Sequence, residues 1–320
     1  MEHTSFSHIS TSTIIEQNSH HTVYRLDSND GQGTASVYSV LPGVEVVYVD
    51  IQTRVYVPTY SSHNIVEINH CLEGRYECRM KDGCLQYIGE GDMFMHNMHN
   101  HSSCIEFPLG YYRGINITID LGKIPDQLPN NLPDIPIDIY ALFKRFFLDD
   151  ECFLIQAKEE LRLLFDGMYS IPIEARKTYY RLKLWEVLIY LYYFDVASEE
   201  QKNFYARQHV DTIKQIEKKI TEEFQKKFTI TELSRMYCIS PTTLKATFKG
   251  VFGVPISAYM KDFRIRKAAS MLRETPISIM NIALSVGYRN QSKFGAAFKE
   301  VYQMNPFEYR AKYQSSKGRS

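Results

Sequence analysis

A near-repeat of 50 residues constrains this chain more than any other feature of its sequence. Sliding the sequence on itself brings one C-terminal stretch into register with another, and the matched positions are mostly apolar. The pairs are Leu244 with Phe294, Phe248 with Phe298, Lys249 with Lys299, Val251 with Val301, Phe252 with Tyr302 and Tyr259 with Tyr309. A shared pattern of core positions predicts that the two stretches fold into two copies of one small unit.

Each copy has the pattern of a short helix, a tight turn and a second helix. Ser240 supplies a capping hydroxyl and Pro241 a preset φ at the start of one second helix, and Asn290 caps the other. Ser278 can cap the first helix of the second copy. The units are predicted at residues 229–250 and 278–300. A helix over residues 255–273 separates them, so two reading helices are expected to enter successive major grooves of a duplex.

Charge is distributed unevenly along the chain. The whole sequence is neutral, but residues 204–320 hold 21 Lys and Arg against 9 Asp and Glu, a net +12, which leaves −12 for the remainder. A basic C-terminal part indicates a polyanionic partner for that end. The alternative is a purely structural helical bundle with solvated basic faces. Two capped copies within a basic segment favour DNA binding over this alternative.

Two C-terminal stretches resemble a known family. ITELSRMYCISPTTLKATFKGVFG and IALSVGYRNQSKFGAAFKEVYQMNPFEYR look like the two-headed DNA-binding domain of the AraC family of transcription regulators. The resemblance implies base-edge contacts from Thr242, Thr243, Lys245 and Ala246 in the first reading helix and from Gln291, Ser292, Lys293, Gly295 and Ala296 in the second. The predicted DNA-binding set also contains Ser240, Lys249, Asn290 and Lys299.

Two of these positions depart from the family pattern. Many members carry a basic or polar side chain where this chain has Ala246 and Ala296. A methyl group can contact a thymine methyl but cannot hydrogen-bond a base edge. Lys245, Gln291 and Lys293 are therefore the preferred specificity residues.

The N-terminal part differs in pattern from the C-terminal part. Clusters of Val, Ile, Tyr and Thr separated by turn residues predict strands up to about Asp120, followed by a Pro- and Asp-rich linker or barrel edge. Residues 140–204 read as helical, with an apolar face of Leu182, Trp185, Leu188, Ile189 and Tyr192. Such a face packs either onto its own barrel or onto a second copy of the chain.

The family resemblance extends, more weakly, to a cupin-like sensing barrel. The stretch HNIVEINHCLEGRYECRMKDGCLQYIGEGDMFMHNMHNHSS is similar to the central hairpins of that fold. The candidate effector-pocket residues are His63, Glu67, His99, His101 and Arg113. Part of a metal-binding cupin motif is also present as His99, His101 and Glu106, without its glycines, so no metal or other cofactor is assigned.

These observations predict an α+β multidomain protein. Its expected parts are a cupin-like β-barrel at residues 1–135, a helical linker or dimerisation segment at 136–205 and an all-α domain with two helix-turn-helix units at 206–320. The expected function is an effector-responsive, sequence-specific DNA-binding transcription regulator that acts as an activator. A metalloenzyme tethered to DNA and a regulator whose barrel only dimerises remain alternatives.

Other function classes find no support in the sequence. The P-loop, GxSxG and HExxH patterns are absent, so we do not expect an enzyme. The polar start and six scattered cysteines favour the cytoplasm, without a membrane partner. Duplex DNA, an unidentified small-molecule effector, RNA polymerase and a second copy of the chain are the expected partners.

Overall fold

The computed structural model describes residues 12–28, 31–56, 64–79, 85–97, 105–124, 137–147, 152–198 and 204–314. The chain divides into two compact units, Met1–Phe204 and Tyr205–Ser320. Within the described residues, no helix has the length and apolar composition that a bilayer crossing requires.

The N-terminal unit is rich in sheet. Its strands are β1 (Ser12–Gln17), β2 (Thr22–Ser28), β3 (Gly31–Leu41), β4 (Val44–Gln52), β5 (Val55–Tyr56), β6 (Ile65–Gly74), β7 (Tyr76–Arg79), β8 (Leu85–Ile88), β9 (Met93–Asn97), β10 (Ile105–Glu106), β11 (Tyr112–Asp120) and β12 (Cys152–Ile155). Its helices are α1 (Ile139–Lys144), α2 (Glu159–Ser170) and α3 (Ile173–Tyr193), followed by a 3₁₀ turn at Val196–Ser198. A two-residue strand, β13 (Phe204–Tyr205), spans the boundary between the two compact units.

The larger sheet is antiparallel, and its central strands, such as β4 and β11, are largely buried on both faces. Its strand order is β1-β2-β3-β4-β11-β6-β9-β12, and β8, β7, β10 and β5 lie side by side in a smaller sheet. Along β4, Val44 and Val46 face the helices whereas Val47 and Val49 face the smaller sheet. This alternation follows from the two-residue period of a strand. Among the described residues neither sheet closes on itself, so the predicted cupin-like barrel is present only as two packed sheets.

Helix α3 packs onto the larger sheet by a different face from the one the sequence predicted. Leu184, Val187 and Leu191 are buried in the core shared with that sheet. Of the predicted face, Leu188 is buried, whereas Leu182 is 65% exposed. Aromatic and aliphatic residues occur on both sides of this helix, so periodicity alone does not decide which side packs onto the sheet and which remains for a second copy of the chain.

The C-terminal unit is all helical. Its helices are α4 (Arg207–Glu222), α5 (Ile230–Met236), α6 (Pro241–Phe252), α7 (Ile256–Glu274), α8 (Ile279–Ser285), α9 (Gln291–Tyr302) and α10 (Pro306–Gln314). Phe294, Phe298 and Tyr309 lie in one core with the buried residues of α7 and α8. The long helix α7 was predicted at residues 255–273. Its buried residues are Ile256, Met260, Ile265, Ala268, Ala269 and Leu272.

His70 should make the N-terminal unit sensitive to acid. Its ring stacks on Phe165 with centroids 4.1 Å apart, its Nδ1 lies 2.7 Å from the Tyr169 hydroxyl, and burial lowers its pKa to about 4. In the unfolded chain the His70 imidazole binds a proton near pH 6.5, whereas in the folded chain it stays neutral down to about pH 4. The contribution of His70 to the free energy of unfolding is therefore fully present above pH 6.5 and is lost as the pH falls towards 4. We expect a loss of up to about 2 kcal/mol between pH 7 and pH 5.

Urea unfolding followed through Trp185, the single tryptophan, measures this loss in the N-terminal unit. The His70→Gln variant should be less stable at pH 7 but should lose less stability on acidification than the parent. His20→Gln, at an exposed histidine of the same unit, is the control. An acid sensitivity unchanged by His70→Gln would contradict the assignment.

Candidate nucleic-acid interface

The first helix-turn-helix unit is built by two capped helices. The Thr229 hydroxyl accepts from the Glu232 backbone N–H at 3.1 Å while the Glu232 carboxylate accepts from the Thr229 N–H, a reciprocal capping box. Ser240 Oγ accepts from the Thr243 N–H at 3.1 Å at the start of α6, whose first helical residue is Pro241. The cap predicted at Ser240 is confirmed.

The second unit repeats this construction. Ser278 Oγ accepts from the Asn281 N–H at 3.2 Å at the start of α8. Asn290 Oδ1 accepts from the Ser292 and Lys293 N–H groups at 2.8 and 3.2 Å at the start of α9. Both predicted caps are confirmed, and α6 and α9 each extend over 12 residues.

The two turns differ by one residue, which the 50-residue repeat does not reveal. In the first unit Cys238, at φ +51°, stands two residues before the cap, and in the second Gly287, at φ +86°, stands three residues before it. A left-handed backbone suits glycine, whereas a side chain such as that of Cys238 is strained there. The reading helices are therefore in register by 50 residues while their turns are not.

One face of each reading helix is buried and the other is exposed. Leu244, Phe248 and Val251 fill the core below α6, and Phe294 and Phe298 do so below α9. The predicted contact residues on the exposed faces are Thr242, Lys245, Ala246, Lys249, Gln291, Ser292, Lys293, Ala296 and Lys299. These residues lie where a duplex could reach them.

Four predicted contact residues stand apart from this exposed set, and one of them is Ser240, whose hydroxyl caps α6. Thr243 is half-buried, and its hydroxyl lies 2.8 Å from Ser240 Oγ, so it is used within the cap. The Asn290 side chain is likewise occupied by capping. Gly295 is half-buried but has no neighbour within 4 Å of the position of a Cβ, which leaves bare backbone on the outer side of α9.

The electrostatics of the exposed faces suit an anionic partner. Lys245, Lys249, Lys293 and Lys299 form no ion pair within the described part of the chain. The first turns of α6 and α9 contain no acidic residue, so the partial positive charge of each helix N-terminus is not neutralised there. Phosphate groups bind well at such helix termini.

Within the C-terminal unit, a cleft of about 860 Å³ between the two helix-turn-helix units carries further cations. Lys226, Lys227, Arg235 and Arg289 line it together with one acid, Glu232. None of these four cations belongs to the predicted DNA-binding set. Arg289 directly precedes the cap Asn290, so its position alone could have indicated a DNA-contacting residue. The other three cations are brought to the cleft by the packing of the two helix-turn-helix units.

The candidate effector residues do not form one group. Glu67, on β6, is buried on the face towards the smaller sheet, and its Oε2 lies 3.1 Å from His96 Nε2. Arg113, on β11, lies on the face towards the helices and binds Asp50 and Glu73 at 3.2 Å each. The structure therefore separates Glu67 from Arg113 by the thickness of the larger sheet, because the two residues have opposite positions in the strand alternation.

The remaining histidines of the predicted pocket, His63, His99 and His101, lie outside the described residues. So does most of the partial metal motif, of which only Glu106, half-buried on β10, is described. Within the described ranges no group of three or more His, Cys, Asp or Glu side chains is arranged to hold a metal ion.

Two further residues approach the Glu67–His96 pair from neighbouring strands. Cys152 lies opposite His96 in the pairing of β12 with β9. A hydrogen bond from Cys152 and the nearby His96 lower the pKa of the Cys78 thiol. In the sequence Cys78 and Cys152 are only two of six scattered cysteines, and nothing in their spacing shows that the two sheets bring them together.

Comparisons with known proteins agree on the C-terminal unit. The family model of a helix-turn-helix domain matches residues 233–312. The HTH-type transcriptional regulator MtrA of Neisseria gonorrhoeae is 32% identical over 92 residues, which are 29% of this chain and 31% of that protein. A putative AraC-like transcription regulator of Streptomyces antibioticus is 40% identical over 83 residues, 26% of this chain and 27% of that protein.

One solved structure, the C-terminal domain of the two-component response regulator yesN from Fusobacterium nucleatum, is 33% identical and covers 30% of this chain and 96% of that one, with a TM-score of 0.29. The chain thus spans less than a third of the length of the two relatives above. The resemblance seen in the sequence is confirmed for the C-terminal part. That unit of the chain belongs to the helix-turn-helix domains of the AraC family of transcription regulators.

Proposed function

We propose that this protein is a transcription regulator that binds duplex DNA through α6 and α9. One observation carries the proposal: two equivalently capped helices each bury an aromatic face and expose a face with unpaired lysines. The names of the relatives, a transcriptional regulator and an AraC-like regulator, support it.

The geometry suggests how the two tasks of binding are divided. Lysines such as Lys249 and Lys299 near the ends of the reading helices supply phosphate contacts, which give affinity at any sequence. Lys245, Gln291 and Lys293 stand on the exposed faces and supply base contacts. A Gln amide can bind adenine through two hydrogen bonds, and Lys binds guanine.

The N-terminal unit is proposed to sense a small molecule. The two packed sheets support a cupin-like barrel for residues 1–135, with the effector held between the sheets beside Glu67 and His96. A buried carboxylate and imidazole can bind polar groups of a ligand in an otherwise apolar space. Screening metabolites for a change in the melting temperature, read through Trp185, would identify the effector, and RNA polymerase is the proposed downstream partner.

The DNA proposal predicts a specific dependence on salt. The logarithm of the binding constant should fall linearly with the logarithm of salt concentration, with a slope of about 0.9 per phosphate contact. Lys299→Gln should lower this slope by about 1 and weaken binding to all sequences alike, as measured by fluorescence anisotropy with the full chain. Lys144→Gln, which removes the same charge from the N-terminal unit, is the control. Salt-independent binding by the parent protein would contradict DNA recognition by the C-terminal unit.

Sequence preference should depend on Gln291. Loss of its amide in Gln291→Ala is expected to relax the choice at one base pair by about tenfold or more, since a good two-bond contact contributes about 1–3 kcal/mol of discrimination. Selection of bound sites from a pool of random duplexes measures the change. Gln208→Ala removes an exposed glutamine of α4 and should leave the selected sites unaltered. Equal changes in both variants would remove Gln291 from the specificity set.

We also propose that the protein forms a homodimer through α3. The outer side of this helix exposes Leu182 at 65% and Tyr193 at 70%, with Trp185 and Ile189 half-buried between them at helical spacing. A continuous apolar stripe of this kind is typical of helix-pair interfaces.

Leu182→Glu should shift the protein from dimer to monomer in sedimentation velocity, because it replaces the exposed leucine of the apolar stripe with a charge. The matched control is Ile173→Glu, at an exposed position on the opposite side of the same helix. A parent protein that sediments as a monomer at all concentrations, or a Leu182→Glu variant that remains dimeric, would contradict this interface.

A further inference from the structure

Three elements of the C-terminal unit meet at the side chain of Arg264. Its Nε donates to the Phe224 carbonyl at 2.6 Å and its Nη2 to the Lys226 carbonyl at 2.8 Å. Both carbonyls belong to the loop between α4 and α5, which leads into the first helix-turn-helix unit. The same arginine lies on α7, the helix that connects the two units.

The turn of the second unit closes on the same point. A Cβ at Gly287 would lie 3.1 Å from the Gln225 carbonyl oxygen and 3.5 Å from Arg264 Nε. Gly287 is therefore constrained twice, by its positive φ and by the approach of this loop. The loop before the first unit and the turn of the second are thus in contact, with the guanidinium beside them.

Apolar packing strengthens this junction. Phe224 of the loop packs against the core of the second unit, and its ring centroid lies 6.0 Å from that of Phe263 on α7. The loop that leads into the first unit is thus fixed partly by the core of the second. A change in the position of either unit would have to break these contacts.

The chemistry of Arg264 is unusual for a surface cation. The two carbonyls, rather than a carboxylate, accept its hydrogen bonds, and partial burial lowers its pKa. An arginine that served only solubility would be found in water, with lower desolvation cost. A planar guanidinium that binds two carbonyl groups of one loop holds the backbone of that loop in one geometry.

We propose that Arg264 is a positioning residue for DNA recognition, which fixes the separation of α6 and α9 and thereby the spacing of the two base blocks that they read. The inference rests on the proposed DNA-binding function. Helix α7 alone joins the two units end to end and would leave them free to bend at its ends. The junction of Arg264, the loop and Gly287 adds a second connection, and two connections restrict that bending.

The experiment is selection of bound sites from random duplexes with the full chain. The parent should select two base blocks at one spacing, about one helical turn or 10 base pairs apart. Arg264→Gln should select the same two blocks at several spacings. On a duplex of the parent's spacing its affinity should fall about tenfold, whereas its affinity for a single block should be unchanged.

Two further variants separate geometry from charge. Arg266→Gln removes a cation two residues away on α7, where the side chain binds Asp262 on the surface, and should keep the single spacing. Arg264→Lys keeps the charge but not the planar two-carbonyl geometry, and should also relax the spacing. A loss of salt dependence in Arg264→Gln without a change of spacing would mean that Arg264 contacts phosphate, and would overturn the proposal.

The remaining outcomes also decide the question. If the parent selects no duplex, the proposed function has failed. If the parent selects spaced blocks and both Arg264 variants keep one spacing, the function stands and the positioning role is wrong. If circular dichroism shows that neither Arg264 variant folds, the residue is required for folding rather than for spacing, and the proposal is also wrong.

Discussion

The burial of one aromatic face on each reading helix determines which side chains remain for recognition. Phe248 on α6 and Phe298 on α9 are completely buried, and removal of a side chain of this size from water contributes on the order of 2 kcal/mol. Because 100° separates successive helical residues, fixing these positions inward turns Ala246 and Lys293, on the far sides of the two helices, outward. The core therefore specifies the interface, even though no core residue would contact DNA.

The sequence was most informative where local chemistry determines structure. The caps at Ser240, Ser278 and Asn290 depend on one side chain and the backbone two or three residues away, so residue type and position were sufficient to predict them. The repeat located α6 and α9 for the same reason. It did not reveal that the turns at Cys238 and Gly287 differ in length, because the compared positions lie within the helices.

Long-range packing was beyond the reach of these patterns. Glu67 and Arg113 were placed in one pocket by residue type, but strand alternation sends them to opposite faces of the larger sheet. The sequence left two partners open for the apolar face of α3 for a related reason, since a helix with apolar residues on two sides has no single preferred face. In both cases the decisive information is which neighbour covers a surface, and one sequence does not contain it.

The larger sheet and the reading helices differ in how many of their faces are buried. Residues of the sheet alternate between two cores, so nearly every position of β4 is buried and few are left for chemistry. The helices α6 and α9 bury only one side, and this leaves a continuous row of side chains on the other. The small molecule proposed for the N-terminal unit would therefore have to enter between elements, whereas DNA can bind an exposed surface that already exists. Recognition by the C-terminal unit then depends on holding two such surfaces in one relation, and the contacts of Arg264 are placed to do this.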